Sequence, residues 1–317
     1  MTETNDEIMV CVQCATYNQE QYIGQTIEGI VSQKTNFRFV VVVVDDASTD
    51  NNPQIIQKYA DAYPEIVKPV YLKENYYTLK KSKVPCYEPW SLICKYMAFC
   101  EGDDYWTDPL KLQKEVDFLE SHPDYNLVCH DWNILREGKC YPSPIHDKYK
   151  EPFTFTFDTL PWVWITKTLT LMYRTSSVNM DEFHSFKYWR DVQLVYLALR
   201  NSKGYYMPEI MATYRVLDSG IWSKVDPNHR NFITYDLYKD MYKKEGTKGL
   251  RKRYMNATLA YYNGLAFGKN TWWHFRTNAK LYFEALRNIS DAKDLIFCLG
   301  GLVPTRLVKW VMKTFKV

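Results

Sequence analysis

Five valines in succession, Val40 to Val44, constrain this chain more than any other stretch. A β-branched run with no polar interruption has no side to turn to water, so it reads as a strand buried on both faces. Such strands lie at the centre of a parallel sheet with helices above and below. The spacing predicts a strand over Phe37 to Val44, ending in Asp45-Asp46-Ala47-Ser48-Thr49-Asp50. A second apolar run, Tyr96 to Cys100, also ends in acids, at Glu101, Asp103 and Asp104 around Gly102. Carboxylates crowded at a strand end repel one another, and a hard cation such as Mg²⁺ or Mn²⁺ relieves that repulsion. Ligands bind at the carboxyl edge of such sheets, so a divalent metal holding a phosphorylated ligand is one reading and a solvated acidic turn the other.

The remaining pattern alternates strands with helices. Ile8 to Cys14 reads as the first strand, followed by the turn Ala15-Thr16-Tyr17-Asn18. Asn18 and Gln21 have capping-box spacing before a helix whose Ile23, Ile27, Ile30 and Val31 share one face. Asn52-Pro53 starts a second helix that Pro64 ends, and Val67 to Leu72 is a third strand. Lys73 to Trp90 shows no period and reads as a loop and helix start. Asp108 and Pro109 read as N-cap and first residue of the next helix. Asn126 to His130 is a strand, Tyr141 to Pro161 an irregular excursion, and Trp189 to Asn201 a helix closed by Gly204. After Ile210 to Val216 no further strand is evident, and the tail reads as helices. The fold class is α/β, with a catalytic-type domain over residues 1–225 and a helical region over 226–317.

A net charge of +3 argues against nucleic acid as the main partner. The 26 Tyr and 10 Trp fit a sugar-binding surface as well as a Tyr-rich core. Met1 to Glu7 is polar with no apolar run behind it, so a cytosolic, reduced chain is expected, with most of its 8 Cys in the core. Cys11 and Cys14 have CxxC spacing, but in a strand their side chains face opposite ways.

Three stretches, in this order, resemble glycosyltransferase family 2: Thr16-Tyr17-Asn18-Gln19 with its helix, Val44-Asp45-Asp46-Ala47-Ser48-Thr49-Asp50, and Glu101-Gly102-Asp103-Asp104-Tyr105-Trp106. The resemblance is clear over about Met9 to His130 and looser to Ser223. It implies a GT-A fold, a Rossmann-like, mostly parallel sheet, with the helical tail as an appendix. It also implies an inverting transfer of one sugar from a nucleotide-sugar donor, usually a UDP-sugar, to a saccharide or lipid-linked acceptor of a cell-surface polysaccharide. By the same resemblance Ala15, Thr16 and Tyr17 hold the nucleobase, and Asp46 accepts a hydrogen bond from it. Asp104 contacts the metal, Mn²⁺ or Mg²⁺, and Asp103 the metal or ribose. Glu101 stands where Asp is commoner in the family. Asp191 matches the base. Lys80 and Lys81 either add charge beside the diphosphate or are solvated. Glu101, Trp106, Arg190 and Trp222 are candidate contacts to donor or acceptor.

Leu217 stands where many relatives carry a His able to approach the metal or phosphate. That departure favours a second reading, a catalytically degenerate sugar-nucleotide-binding or scaffold protein of the same fold. A phosphoryl-transfer hydrolase of the haloacid-dehalogenase type is a third, but it needs a second Asp two residues after its nucleophile. Ala47 or Ser48 stands there. Near the C-terminus Arg306, Lys309, Lys313 and Lys316 line one helical face, and Leu307, Trp310, Val311 and Phe315 another. A basic amphipathic helix of this kind lies on an anionic membrane surface or packs its apolar face on the body. The first alternative would place the protein on the inner face of the cytoplasmic membrane.

Overall fold

The computed structural model describes residues 7–160, 164–217, 225–265 and 271–289. Trp162, Asp218, Trp222 and the basic stretch after Pro304 lie outside the described residues. The chain forms two compact units, Met1–Ser185 with Trp189–Leu217, and Phe186–Tyr188 with Asp218–Val317.

The first unit is built on β1 (Ile8–Thr16), β2 (Arg38–Asp45), β3 (Val67–Tyr71), β4 (Tyr96–Phe99), β5 (Tyr105–Trp106), β6 (Tyr125–Arg136), β7 (Lys139–Pro142), β8 (Phe153–Phe155), β9 (Met172–Arg174) and β10 (Lys203–Arg215). They form one sheet in the order β3-β2-β1-β4-β9-β6-β10-β5, with β7 beside β6 and β8 beside β10. The valine run lies where its composition requires: β2 sits between β1 and β3, parallel to both, and Val40 to Val44 are all buried. The helices of this unit are α1 (Ile23–Val31), α2 (Asn52–Ala62), α3 (Val84–Ser91), α4 (Lys111–Ser121), α5 (Met180–Ser185) and α6 (Asp191–Leu199). Ile23, Ile27 and Ile30 of α1 are buried in the main core with Val10, Val12 and Val41. Gly29 lets α1 press against β5, since a Cβ there would lie 2.8 Å from the Trp106 carbonyl oxygen.

The sheet is mostly parallel, with one reversal inside it. β9 runs antiparallel to both β4 and β6 and divides the parallel set β3-β2-β1-β4 from the parallel pair β6-β10. Arg174 fastens this junction, donating to the Tyr125 carbonyl at 2.8 Å, the Tyr96 hydroxyl at 2.8 Å and the Leu119 carbonyl.

Several element ends differ from the sequence reading. α1 starts at Ile23, and Asn18 does not cap it. Asn18 instead has a positive φ of 49°, and its side-chain oxygen accepts from the Thr49 amide at 2.8 Å. α4 begins at Lys111, after a turn in which Asp108 accepts from the Leu110 amide and the Lys114 ammonium. The excursion expected over 141–161 contains β8, and Gly204 lies inside β10.

The second unit contains α7 (Pro227–Glu245), α8 (Lys248–Leu265) and α9 (Thr271–Leu286). Asp226 caps α7 by accepting from the amides of Asn228 and His229, and Gly246 closes it in the left-handed conformation. Glu284 on α9 accepts from Tyr235 and Lys239 of α7 and from Tyr254 of α8. Met255, Leu259 and Tyr262 pack with Tyr282 and Ala285 beneath that cluster. The segment Phe186–Tyr188 joins this unit through Asp236, which accepts from Lys187 and Tyr188, each at 2.5 Å.

Candidate active site

Three strands deliver their ends to one edge. The register pairs Thr16 of β1 with Asp45 of β2, and Gln13 of β1 with Phe99 of β4. Beyond the strands the chains stay paired, with the Asp46 amide on the Thr16 carbonyl and the Gly102 amide on the Ala15 carbonyl, each at 3.0 Å. The turns after β1 and β2 are cross-bonded. The Asn18 amide donates to Ser48 Oγ at 2.9 Å and the Glu20 amide to Asp50 Oδ2 at 3.0 Å. Ala47 takes a φ of 59°, which costs a residue with a Cβ and persists only where its surroundings hold it.

Thr16 is buried and bonded to Asn52, while Tyr17 projects outward and is half-exposed. Asp46 is buried, and its carboxylate is already well supplied. It accepts from the Tyr76 amide at 2.6 Å, the Tyr77 amide at 3.2 Å and the Lys83 ammonium at 2.6 Å. The acid thus holds the loop that follows β3. Lys81, expected near this edge, is exposed and reaches Glu74 at 3.2 Å. The cation that arrives at the edge is Lys83, which sequence reasoning passed over because the loop has no period to place it.

The acid loop after β4 packs tightly on the β1 turn. A Cβ at Gly102 would meet Thr16 at 2.6 Å, and Thr26 Oγ1 donates to the carbonyls of Gly102 and Asp104. Asp104 is buried, with Oδ1 on the Arg215 amide at 2.8 Å. The Arg215 guanidinium donates to the Asp103 carbonyl at 2.6 Å and lies between the rings of Tyr22 and Tyr105. Burial, with Glu101 and Asp103 adding their repulsion, pushes Asp104 well above the usual carboxylate range. Burial also raises Asp103, and it pushes Glu101 up to about 6, with Asp103 and Asp191 contributing. Glu101 Oε2 is buried and has no hydrogen-bond partner.

Asp191 opens α6, after Arg190 in an extended conformation. Burial raises its carboxyl above the ordinary value, against the nearby cations of Arg190 and Lys167. Lys167 also faces Asp104, and its ammonium sits 4.2 Å from the centre of the Tyr214 ring. The structure therefore brings Glu101, Asp104, Asp191 and Lys167 into one electrostatic neighbourhood. Lys167 and Arg215, like Lys83, were missed in the sequence. Arg215 ends a strand just as the acids do, and that position was the available signal.

Trp106, expected as a ligand contact, is a core residue. It is buried, its indole N–H donates to the Leu169 carbonyl at 3.0 Å, and the Lys111 ammonium lies 4.3 Å from its ring. Among the described residues no three His, Cys, Asp or Glu form a cation cage. The donor chemistry nonetheless fits a divalent ion completed by ligand oxygens. Hard carboxylates crowd together, their protonation is favoured by mutual repulsion, and one buried oxygen is unpartnered.

The sequence model of glycosyl transferase family 2 matches residues 11–183, more than half of the chain, and the chain belongs to that family. The uncharacterized protein Rv1520 of Mycobacterium tuberculosis is 33% identical over 231 residues, 68% of this chain and 61% of that one. The chain spans about three fifths of the length of Rv1520 and of its matching mycobacterial counterparts. The Escherichia coli protein WfaP is named as a UDP-Glc:alpha-D-GlcNAc-diphosphoundecaprenol beta-1,3-glucosyltransferase. It is 30% identical over 117 residues, 36% of this chain and 42% of its own. Residues 1–349 of Staphylococcus aureus TarS, solved with UDP-GlcNAc, superpose with a TM-score of 0.55 over 94% of this chain and 82% of that one, at 19% identity. At that identity the likeness is one of fold, the GT-A fold.

Proposed function

We propose that this chain transfers one sugar, with inversion, from a UDP-sugar to a hydroxyl of a saccharide or lipid-linked acceptor in the synthesis of a cell-surface polysaccharide. The observation that carries this reading is the gathering of the acid loop after β4 and the turns after β1 and β2 at one sheet edge, with Asp191 close enough for its charge to be felt at Glu101. Family membership supports the reaction type, and the UDP-GlcNAc bound to TarS and the substrates named for WfaP support the substrate classes.

Tyr17 offers an exposed ring on which a nucleobase stacks, and the Ala15–Thr16 turn supplies backbone beside it. Asp46 and Lys83 hold the loop that follows β3, and the nucleobase edge would have to meet Asp46 in competition with the Tyr76 and Tyr77 amides and Lys83. Asp103 and Asp104 would hold Mg²⁺ or Mn²⁺, with Glu101 behind them. Such an ion, when bound, neutralises charge on the leaving diphosphate. Lys167 and Arg215 add fixed positive charge on the same side. Asp191 removes the proton from the acceptor hydroxyl as its oxygen attacks C1 of the donor sugar. The bond between C1 and the diphosphate breaks, and UDP leaves with the bonding pair. A raised Asp191 is a stronger base than a solvated Asp, which suits that step.

In domain terms, the first unit would be the catalytic domain and the second a helical region, with the boundary after Leu217 rather than at 225. A lipid-linked acceptor would bring the reaction to a membrane surface, on the cytoplasmic side where the basic stretch after Pro304 could bind. No described helix is long and apolar enough to cross a membrane.

The test is UDP release from a panel of UDP-sugars, with GDP- and dTDP-sugars alongside. Asp191→Asn should keep UDP affinity by calorimetry and lose transfer by a factor on the order of 10² or more. Wild-type turnover in that variant removes Asp191 from the reaction. No nucleotide binding by the wild-type protein removes the reading itself.

A further inference from the structure

Trp189 is an exposed aromatic two residues before the proposed base, and it is held in place. It keeps 44% of its surface in solvent. Its indole N–H donates to the His184 carbonyl at 3.2 Å, and its ring lies 4.9 Å from the His184 ring, centre to centre. On its other side His184 lies beside α3, with Nε2 3.6 Å from a Glu88 carboxylate oxygen. One part of the indole is therefore braced by α5, while the rest faces water.

Backbone geometry relates this ring to Asp191. Arg190 has φ −125° and ψ 166°, an extended residue. Side chains on either side of an extended residue project to the same side, with Cα atoms about 6.6 Å apart. The Cβ atoms of Trp189 and Asp191 thus project to the same side of the chain. The indole N–H is already satisfied, so what remains open is apolar π-surface with no directional polar demand. The face of such a ring is electron-rich and complements the C–H bonds on one side of a pyranose.

We infer that the exposed face of Trp189 is the platform for one sugar ring of the acceptor, set so that a hydroxyl of that ring reaches Asp191. The inference rests on the transferase reading above, and it makes Trp189 a positioning residue with no part in proton transfer. Stacking on a pyranose fixes the plane of the ring but not the stereochemistry of each hydroxyl. The platform therefore selects for an accessible C–H face and leaves finer discrimination to neighbouring polar groups.

The experiment measures binding of octyl α- and β-hexopyranosides to the UDP-saturated, full-length protein by saturation-transfer NMR and calorimetry. UDP affinity is recorded on the same samples. At least one hexopyranoside should bind wild type, and Trp189→Ala should weaken it by about 10-fold or more. Trp189→Phe, which restores a π-face, should stay within about 3-fold of wild type. Trp189→Leu, apolar but without a ring, should behave like the Ala variant and guards against a simple packing loss. Retained glycoside affinity in the Ala or Leu variant overturns the platform, as does a wild-type protein that binds UDP but no hexopyranoside. Loss of UDP affinity in all three variants would overturn the acceptor assignment and place the ring against the donor. Failure of wild type to bind UDP sinks the transferase reading instead.

Discussion

Asp45 and Asp46 are adjacent and do different work. Asp45 is locked inside by the Asn52 side chain at 2.7 Å and the Ser48 amide at 2.9 Å, while Asp46 reaches outward to hold a loop. A residue's neighbours, more than its type, decide what its charge does, and the buried group around Glu115 shows this most clearly. Glu115 and Lys111 are both fully buried and paired at 2.6 Å, with His130 Nε2 4.0 Å from the second Glu115 oxygen. Burial pushes Glu115 up to about 7 against the pull of Lys111, and burial with the Lys111 charge drives His130 well below its ordinary range. An acid with a raised folded pKa stabilises fully below its unfolded value and loses that contribution as pH rises through the folded value. Glu115→Gln mimics the protonated acid. Its stability relative to wild type should therefore shift in its favour between about pH 4.5 and 7.5, by on the order of 1–3 kcal/mol. His130 titrates in both proteins and largely cancels in the difference. Urea melts across that range provide the measurement, and a gap independent of pH would remove the raised Glu115.

Among the elements, the contact of α1 with β5 allows the least change. The Cβ of an alanine at Gly29 would sit 2.8 Å from the Trp106 oxygen and 3.2 Å from its nitrogen, both backbone atoms that cannot swing aside. Gly29→Ala gains helix propensity but must push α1 off the strand, so a net loss of about 1–3 kcal/mol is expected in denaturant unfolding. A neutral or stabilised variant would show that α1 is free to shift. Elements of this kind were legible in the sequence where burial dictated pattern, as in the valine run of β2 and the isoleucine face of α1. Their starts were less legible. Asn18 looked like a cap yet bonds across to Thr49, because a short polar side chain serves whichever amide the tertiary fold brings near, while Asp108 bonds the Leu110 amide in the turn that leads into α4. The acids of the candidate site could be read for the same reason as the strands, since they end apolar runs. Lys83 and Lys167 could not, because their charges meet the acids only through pairings distant in sequence, whereas Arg215 ends β10 and carried that signal. Trp106 was misassigned because a Trp beside an acidic turn has no sequence mark separating a core ring from an exposed one.

For the whole molecule, the second unit offers its own test. Glu284 gathers one lysine and two tyrosines from α7 and α8, so Glu284→Gln weakens three charge-assisted bonds at once. A loss of about 1–3 kcal/mol in that unit is expected, read as faster amide exchange across α7 to α9. Exchange equal to wild type there would show that helix packing alone sustains it. The first unit carries a different lesson in its reversed strand. β9 pairs with β4 at three positions and with β6 at two, and Met172 and Tyr173 pair with both, so the reversed strand ties the two parallel halves of the sheet together. A changed connection between β7 and β9 acts outside the direct pairings that align β1 with β2 and with β4. The acids and the loop-holding Asp46 belong to one half, and Asp191 enters beside the other. The edge that gathers the acids is thus set by its own pairings, and change elsewhere in the sheet can proceed around it, as a tool keeps its handle when the bit is exchanged.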